Sequence, residues 1–212
     1  MAIKVAINGF GRIGRLSFRR MVEVGGFEIV AINDLTDAKT LTYLLKYDTT
    51  HGRFKGGELT TSEDGKAIVF NGKAIPVLGQ PDPTLLNWKD FGVDIVLECT
   101  GRLKGKDDAI VHVEKGGAKG VMISAPSDAV TPTFVFGVND AKLTKEMTVI
   151  SGASCTTNCL APVVKVLEDN YGIETGLMTT VHAYTNDQTT LDLVKKGDNR
   201  RGRAAAANIV PS

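Results

Sequence analysis

The sequence predicts an α/β protein built around a mostly parallel sheet. Short apolar, β-branched runs alternate with amphipathic helical stretches, and a glycine-rich turn joins the first strand to the first helix. Of the 212 residues, 42% are hydrophobic and 23% are charged, which is typical of a globular protein and excludes a disordered chain. The net charge of +1 argues against bulk attraction to nucleic acid, and no apolar run reaches the roughly 18 residues of a membrane span.

The first three elements form one β-α-β unit. Residues 3–7 are a short apolar strand, residues 12–24 an amphipathic helix, and residues 28–32 a second strand. This order predicts a right-handed crossover between two parallel strands. A second helix is expected through residues 41–45.

The stretch from residue 57 to residue 78 predicts an antiparallel insertion in this parallel scheme. Asp64-Gly65 and Asn71-Gly72 are strong hairpin turn signals, and short alternating runs flank both. Further strands are predicted over residues 93–97, 120–123, 133–136 and 147–150.

The pattern changes after residue 151. Apolar residues at 160, 163, 164 and 167 predict one face of a helix over residues 154–170, and a strand is expected over 177–183. A long polar stretch follows. We therefore predict a first domain over residues 1–151 and the beginning of a truncated α+β domain over residues 152–212, with the apolar stripe of the helix left uncovered.

The glycine-rich turn has the spacing of a dinucleotide-binding motif. Gly9, Gly11 and Gly14 follow the first strand and open the first helix, whose N-terminal N–H groups favour phosphate. Asp34 ends the second strand 20 residues after Gly14, where a carboxylate hydrogen-bonds a ribose diol and repels a 2′-phosphate. The first domain is thus predicted to be a Rossmann-type domain that binds NAD.

Two residues of the second part are candidates for chemistry. Cys155 lies between a predicted strand end and a helix start, where the helix dipole favours the thiolate, and His182 ends the next predicted strand. A metal site of Cys155, Cys159 and His182 is disfavoured because structural zinc requires four ligands. With Cys99, the chain has three cysteines and its first residues are not a secretory signal, so a reducing cytoplasmic setting is expected.

Several segments together resemble the phosphorylating glyceraldehyde-3-phosphate dehydrogenase family. They are residues 6–15, Asn33-Asp34-Leu35, Lys46-Tyr47-Asp48, Ala153-Ser154-Cys155-Thr156-Thr157-Asn158 and His182-Ala183-Tyr184-Thr185. The resemblance extends through essentially the whole sequence. Because chains of that family continue well past residue 212, the sequence is expected to be an N-terminal portion.

The resemblance implies oxidation of glyceraldehyde 3-phosphate with inorganic phosphate to 1,3-bisphosphoglycerate in glycolysis. Cys155 would form a thioester and His182 would move the proton. The implied cofactor-binding residues are Gly9, Phe10, Gly11, Arg12, Ile13, Gly14, Asn33, Asp34, Thr100, Gly101 and Ser124. The implied phosphate-binding residues are Ser154, Thr156, Thr185 and Arg200. The full-length family members are homotetramers.

Three alternatives stay open at this point. The first is a related dehydrogenase of the same fold that acts on erythrose 4-phosphate or a semialdehyde. The second is a fragment that binds NAD and catalyses nothing. The third, nucleic-acid binding through residues 198–203, is disfavoured because no aromatic residues are interleaved with the arginines.

Overall fold

The computed structural model describes residues 2–211 and confirms the α/β prediction. The elements in chain order are β1 Ile3–Asn8, α1 Arg12–Val24, β2 Phe27–Asn33, α2 Ala38–Lys46, β3 Tyr47–Asp48, β4 Gly52–Arg53, β5 Leu59–Thr61, β6 Ala67–Phe70, β7 Lys73–Pro76, β8 Ile95–Glu98, α3 Lys106–Ala109, α4 Val111–Glu114, β9 Gly120–Ile123, β10 Val149–Ser151 and α5 Cys155–Tyr171. Within the described range, none of these helices is long and apolar enough to cross a lipid bilayer.

The main sheet has five parallel strands in the order β10-β9-β8-β1-β2. A single parallel bridge between Val77 and Ile32 continues the sheet past β2. The strand order reverses between β1 and β8, so the loops after these two strands diverge. In open α/β sheets a ligand crevice forms at this switch point, beyond the carboxyl ends of the strands.

Two apolar clusters hold the sheet. In one, Phe18 of α1 and Leu45 of α2 pack with Ile7 of β1, and the antiparallel sheet contributes Ile68. In the other, Trp88 and Val121 are among the residues that surround the middle of the sheet. Helices α1 and α2 therefore take their stability from the apolar surface that they bury against the strands.

The inserted antiparallel sheet is confirmed, with strands β5, β6 and β7 paired in sequence. At its second turn Asn71 and Gly72 have φ angles of 49° and 79°. Two positive φ values in a two-residue hairpin loop are the geometry that an Asn-Gly pair favours, because it follows the twist of the strands.

Two predicted strands are wrong. Residues 133–136 form only one bridge, from Thr133 to Ser151, because the Asn139 side chain takes the backbone groups of Val135 and Thr133 that a strand would use. Residues 177–183 are irregular, and Val181 is fully exposed. An apolar run becomes a strand only beside another strand, and no described strand pairs with this one.

The chain divides into two compact units, one ending at Tyr171 and one beginning at Gly172. The described part of the second unit is irregular apart from one 3₁₀ turn at Asn199–Gly202, and a backbone hydrogen bond of 2.8 Å links Leu193 N to Gly202 O. The domain division at residue 151 stays a prediction.

Candidate functional site

The glycine turn after β1 uses its three glycines differently. Gly9 has a φ of 90°, and a Cβ there would lie 2.6 Å from the backbone nitrogen of Thr100, so the turn lies directly against the loop after β8. A Cβ on Gly14 would overlap the carbonyl oxygen of Gly9. A Cβ on Gly11 would meet nothing within 4 Å. Gly9 and Gly14 thus serve close packing, whereas Gly11 faces open space at the start of α1.

That open space is a crevice of about 300 Å³ at the carboxyl ends of the central strands. Its volume lies at the lower end of the range for small-molecule sites. The predicted residues that line it are Gly9, Gly11, Asn33, Asp34 and Thr100. No cofactor contact was predicted for the other lining residues, which are Asn8, Leu35, Gln80, Pro81, Pro83, Leu86, Cys99, Arg102 and Leu103.

Asp34 lines the crevice directly after β2, and both oxygens of its carboxylate are hydrogen-bonded. One carboxylate oxygen accepts a hydrogen bond of 2.7 Å from the backbone N–H of Phe10, and the other accepts one of 2.9 Å from Thr36. Each oxygen retains a second lone pair, so the group can still accept the hydroxyls of a ribose in the crevice.

The start of α1 is suited to an anion. Among the described residues, no side chain caps this N-terminus and its first turn carries no acidic residue. The positive end of the helix dipole therefore remains available to a phosphate near Gly11. Together with Asp34, these features fit a dinucleotide.

The other predicted cofactor residues are not among the residues that line the crevice. The Phe10 side chain is buried in the first apolar cluster, and Ile13 is half exposed. The Arg12 guanidinium donates to Asp48 at 2.8 Å. This hydrogen bond, with one from the backbone N–H of His51, holds the pKa of Asp48 well below its ordinary value. Gly101 and Ser124 follow β8 and β9, where Ser124 N donates to the carbonyl oxygen of Glu98.

Cys99 lines the crevice as a weakly acidic thiol. Burial disfavours the thiolate and raises the pKa of Cys99 to about 11. The sulfur is therefore protonated at neutral pH and acts as packing. The sequence likewise predicts no catalytic role for Cys99.

Cys155 is the first residue of α5 and is exposed. The loop before it is fixed by local hydrogen bonds. The hydroxyl of Ser154 accepts one of 2.9 Å from Thr157 N and caps the helix, and the Asn158 amide donates to Gly152 O at 2.7 Å. The thiol therefore lies at a capped helix N-terminus, as the sequence predicted, with Thr156 next to it.

His182, Thr185 and Arg200 belong to the second compact unit. The Nδ1 atom of His182 lies 2.6 Å from the carbonyl oxygen of Ala183. A carbonyl only accepts, so Nδ1 carries the proton and, in the neutral ring, Nε2 is the basic nitrogen. The pairing of His182 with Cys155 stays a prediction.

The basic stretch from residue 198 to residue 203 is neutralised by acidic residues. Arg200 bonds Asp198 at 3.0 Å, Arg201 is paired with Asp187, and Arg203 lies 2.9 Å from Asp192. The hydrogen bond to Asp198 raises the pKa of Arg200 above its ordinary value. These ion pairs favour a solvated loop over a nucleic-acid surface.

The family model described as "Glyceraldehyde 3-phosphate dehydrogenase, NAD binding domain" matches residues 3–106, and the model described as "Glyceraldehyde 3-phosphate dehydrogenase, C-terminal domain" matches residues 154–212. The first match agrees with the Gly11 and Asp34 geometry, and NAD is the cofactor of this domain.

Curated relatives named glyceraldehyde-3-phosphate dehydrogenase match almost the whole chain. The protein of Clostridium pasteurianum is 59% identical over 210 residues and that of Clostridium acetobutylicum is 58% identical over 210, each match covering 99% of this chain. The protein of Geobacillus stearothermophilus is 54% identical over 213 residues. The chain spans 62% of the length of each of these relatives. It belongs to the glyceraldehyde-3-phosphate dehydrogenase family.

Proposed function

We propose that the chain is part of an enzyme that oxidises glyceraldehyde 3-phosphate with inorganic phosphate to 1,3-bisphosphoglycerate in glycolysis. The observation that carries the proposal is the crevice at Gly11 and Asp34, in a chain that also presents Cys155 at a helix N-terminus. The proposal includes a cytoplasmic location and, for the full-length protein, a homotetramer.

In this proposal the crevice binds NAD. The N–H groups at Gly11 and the first turn of α1 receive the pyrophosphate, and Asp34 accepts the ribose hydroxyls. Thr100 and Asn33 form the walls. The remaining proposed cofactor residues are Gly9, Phe10, Arg12, Ile13, Gly14, Gly101 and Ser124. NAD, when bound, supplies the hydride acceptor for the aldehyde carbon.

Cys155 and His182 are the proposed catalytic residues. The Cys155 thiolate attacks the aldehyde carbon, and Nε2 of protonated His182 donates its proton to the resulting oxyanion to give a thiohemiacetal. The same nitrogen takes this proton back as the carbon loses a hydride, which bound NAD would accept, and becomes a thioester. Inorganic phosphate then attacks the thioester carbonyl and releases the Cys155 thiolate. We propose that Ser154, Thr156, Thr185 and Arg200 bind the two phosphate groups.

The test is a pair of measurements on the 212-residue chain. Calorimetry gives the Kd for NAD, and absorbance follows NADH formation in glyceraldehyde 3-phosphate, NAD and phosphate. We expect Cys155→Ser to abolish turnover with an unchanged Kd, and His182→Gln to lower turnover about 100-fold or more because a general base is lost. Turnover that survives Cys155→Ser would contradict the assignment of the nucleophile.

A second candidate function is NAD binding without turnover. It is favoured by the apolar face of α5, where Val163 is 56% and Leu167 is 44% exposed. NAD binding without NADH formation by the unmodified chain would support this candidate. A parallel assay with erythrose 4-phosphate distinguishes the sugar-phosphate alternative, since faster turnover of that aldehyde would reassign the substrate.

A further inference from the structure

Three polar residues end the three central strands side by side. Asn33, Asn8 and Glu98 are the last residues of β2, β1 and β8, and the strand register pairs Asn8 with both of the others. All three are buried: Asn33 is 6%, Asn8 is 3% and Glu98 is 1% exposed. A charged side chain is almost never buried to this extent unless it is paired and hydrogen-bonded, so Glu98 requires a specific explanation.

The Glu98 carboxylate accepts four hydrogen bonds. One oxygen accepts from Asn8 Nδ2 at 2.6 Å and from His112 Nε2 at 3.0 Å, and the other accepts from the backbone N–H and the hydroxyl of Thr100. Four donors fill the lone pairs of an ionised carboxylate. If this side chain were a neutral acid or an amide, its own O–H or N–H group would point at one of these donors.

His112, which is itself held by Trp88, fixes the orientation of the Glu98 carboxylate. The indole N–H of Trp88 donates to His112 Nδ1 at 3.0 Å, and both side chains are fully buried. An indole nitrogen is only a donor, so Nδ1 must accept, and the proton of the neutral ring is on Nε2, where it points at Glu98. The imidazole therefore has one tautomer and one orientation.

From Glu98 the hydrogen bonds continue to the crevice wall. The Thr100 hydroxyl, which donates to Glu98, accepts from Arg102 N at 3.1 Å. The side-chain oxygen of Asn8 accepts a hydrogen bond of 2.8 Å from the side-chain amide of Asn33. The Asn33 side chain also donates to the carbonyl oxygen of Gln80 and accepts from its backbone N–H. Asn8, Asn33, Gln80, Thr100 and Arg102 all line the crevice, whereas Glu98, His112 and Trp88 do not.

We infer that Glu98 is a positioning residue for the dinucleotide. Its buried carboxylate, held by His112 and Trp88, fixes the loops after β1, β2 and β8 in the arrangement that receives the cofactor. The inference rests on the proposed binding of NAD in this crevice. By this inference, residues that do not line the crevice contribute to its affinity for NAD.

The test compares buried variants that differ in hydrogen bonding. His112→Phe retains the bulk but neither accepts from Trp88 nor donates to Glu98, and we expect it to weaken NAD binding about tenfold, since the carboxylate loses a donor and shifts. His112→Gln retains one acceptor and one donor and is expected to bind NAD within about twofold of the unmodified chain. The readout is the Kd from calorimetry, far below the melting temperature.

Val121→Ala is the matched control. Val121 is 1% exposed and lies in the same apolar cluster as Trp88, but it carries no polar group. This variant lowers stability and is expected to leave the Kd within about twofold, because it leaves the hydrogen bonds to Glu98 intact. Weakening by Val121→Ala equal to that by His112→Phe would overturn the inference, because loss of packing alone would then explain the effect.

Two further outcomes are decisive. An unmodified chain that binds no NAD would overturn the proposed function and the inference with it. If the unmodified chain binds NAD and the His112→Phe variant binds it equally tightly, the inference is overturned but the proposed function is not. If His112→Phe does not fold, Trp88→Phe removes the N–H that orients His112 together with part of the buried indole ring, and the comparison with Val121→Ala then separates loss of the hydrogen bond from loss of buried volume.

Discussion

Helices α1 and α5 carry apolar residues at similar spacing, yet only α1 buries them. Phe18 and Met21 of α1 are buried, and the Phe18 ring makes edge-to-face contacts with Phe10 and Phe70. No residue of α5, which the structure describes in full, is buried. Periodicity thus predicts a helix and its apolar face, but burial also depends on an element that packs against that face.

The largest difference in stability between variants of the two regions is expected at the glycines that precede the two helices. Gly9→Ala should destabilise the fold by about 4 kcal/mol, because the new methyl group overlaps backbone at a φ that side chains disfavour. In Gly152→Ala, the methyl group crowds the flexible end of Met122 and lies at an ordinary contact distance of 3.7 Å from the Ile123 carbonyl oxygen, so the cost should be less than about 1 kcal/mol. Urea unfolding measures both, and equal losses would contradict the tight packing at Gly9.

A matched pair of leucines tests the helix faces directly. Leu45 of α2 is 0% exposed, whereas Leu167 of α5 is 44% exposed. We expect Leu45→Ala to lower the free energy of unfolding by about 3 kcal/mol and Leu167→Ala by less than about 1 kcal/mol. A loss above about 2 kcal/mol for Leu167→Ala would show that the α5 face is covered in solution.

The reactivities of the three cysteines provide a chemical comparison of the two regions. Near neutral pH we expect iodoacetamide to alkylate Cys155 about 100-fold faster than Cys99, whose pKa of about 11 leaves little thiolate. Raising the pH towards that value should narrow the ratio, because Cys99 then ionises. Cys159, exposed on the same helix, is the control and should react more slowly than Cys155. Peptide mass spectrometry gives the three rates, and equal rates would identify Cys155 as an ordinary thiol.

The smallest effects concern the polar contacts at the two helix starts. Asp48→Asn, which removes the partner of Arg12 in α1, and Ser154→Ala, which removes the cap of α5, should each cost about 1 kcal/mol at neutral pH.

The pH dependence distinguishes these two contacts. The pKa of Asp48 is lower in the folded than in the unfolded chain, so its contribution is present above about pH 4 and is lost as the pH falls further. The Ser154 contribution should not change over that range. Unfolding curves at several pH values check this, and a pH-independent Asp48→Asn effect would contradict the ionic contact.

The sequence predicted those parts of the fold and site that depend on local signals. The Gly9–Gly14 turn, Asp34 and the Asn71-Gly72 hairpin each depend on residues a short distance apart. The strand predicted over 177–183 failed because a strand needs a neighbour, which no local pattern reveals. Glu98 and His112 were also missed, since their roles arise only when distant segments meet. A charged residue at the end of an apolar strand was the available signal.

The hydrogen bond between Trp88 and His112 has an optical consequence. The chain contains one tryptophan, and its indole N–H is bonded to the imidazole beneath the crevice. Tryptophan fluorescence, excited selectively over the tyrosines, therefore comes from a single residue next to His112. Protonating the imidazole, or displacing it, alters the surroundings of that indole. The tryptophan emission spectrum thus reports whether the hydrogen bond between Trp88 and His112 is intact.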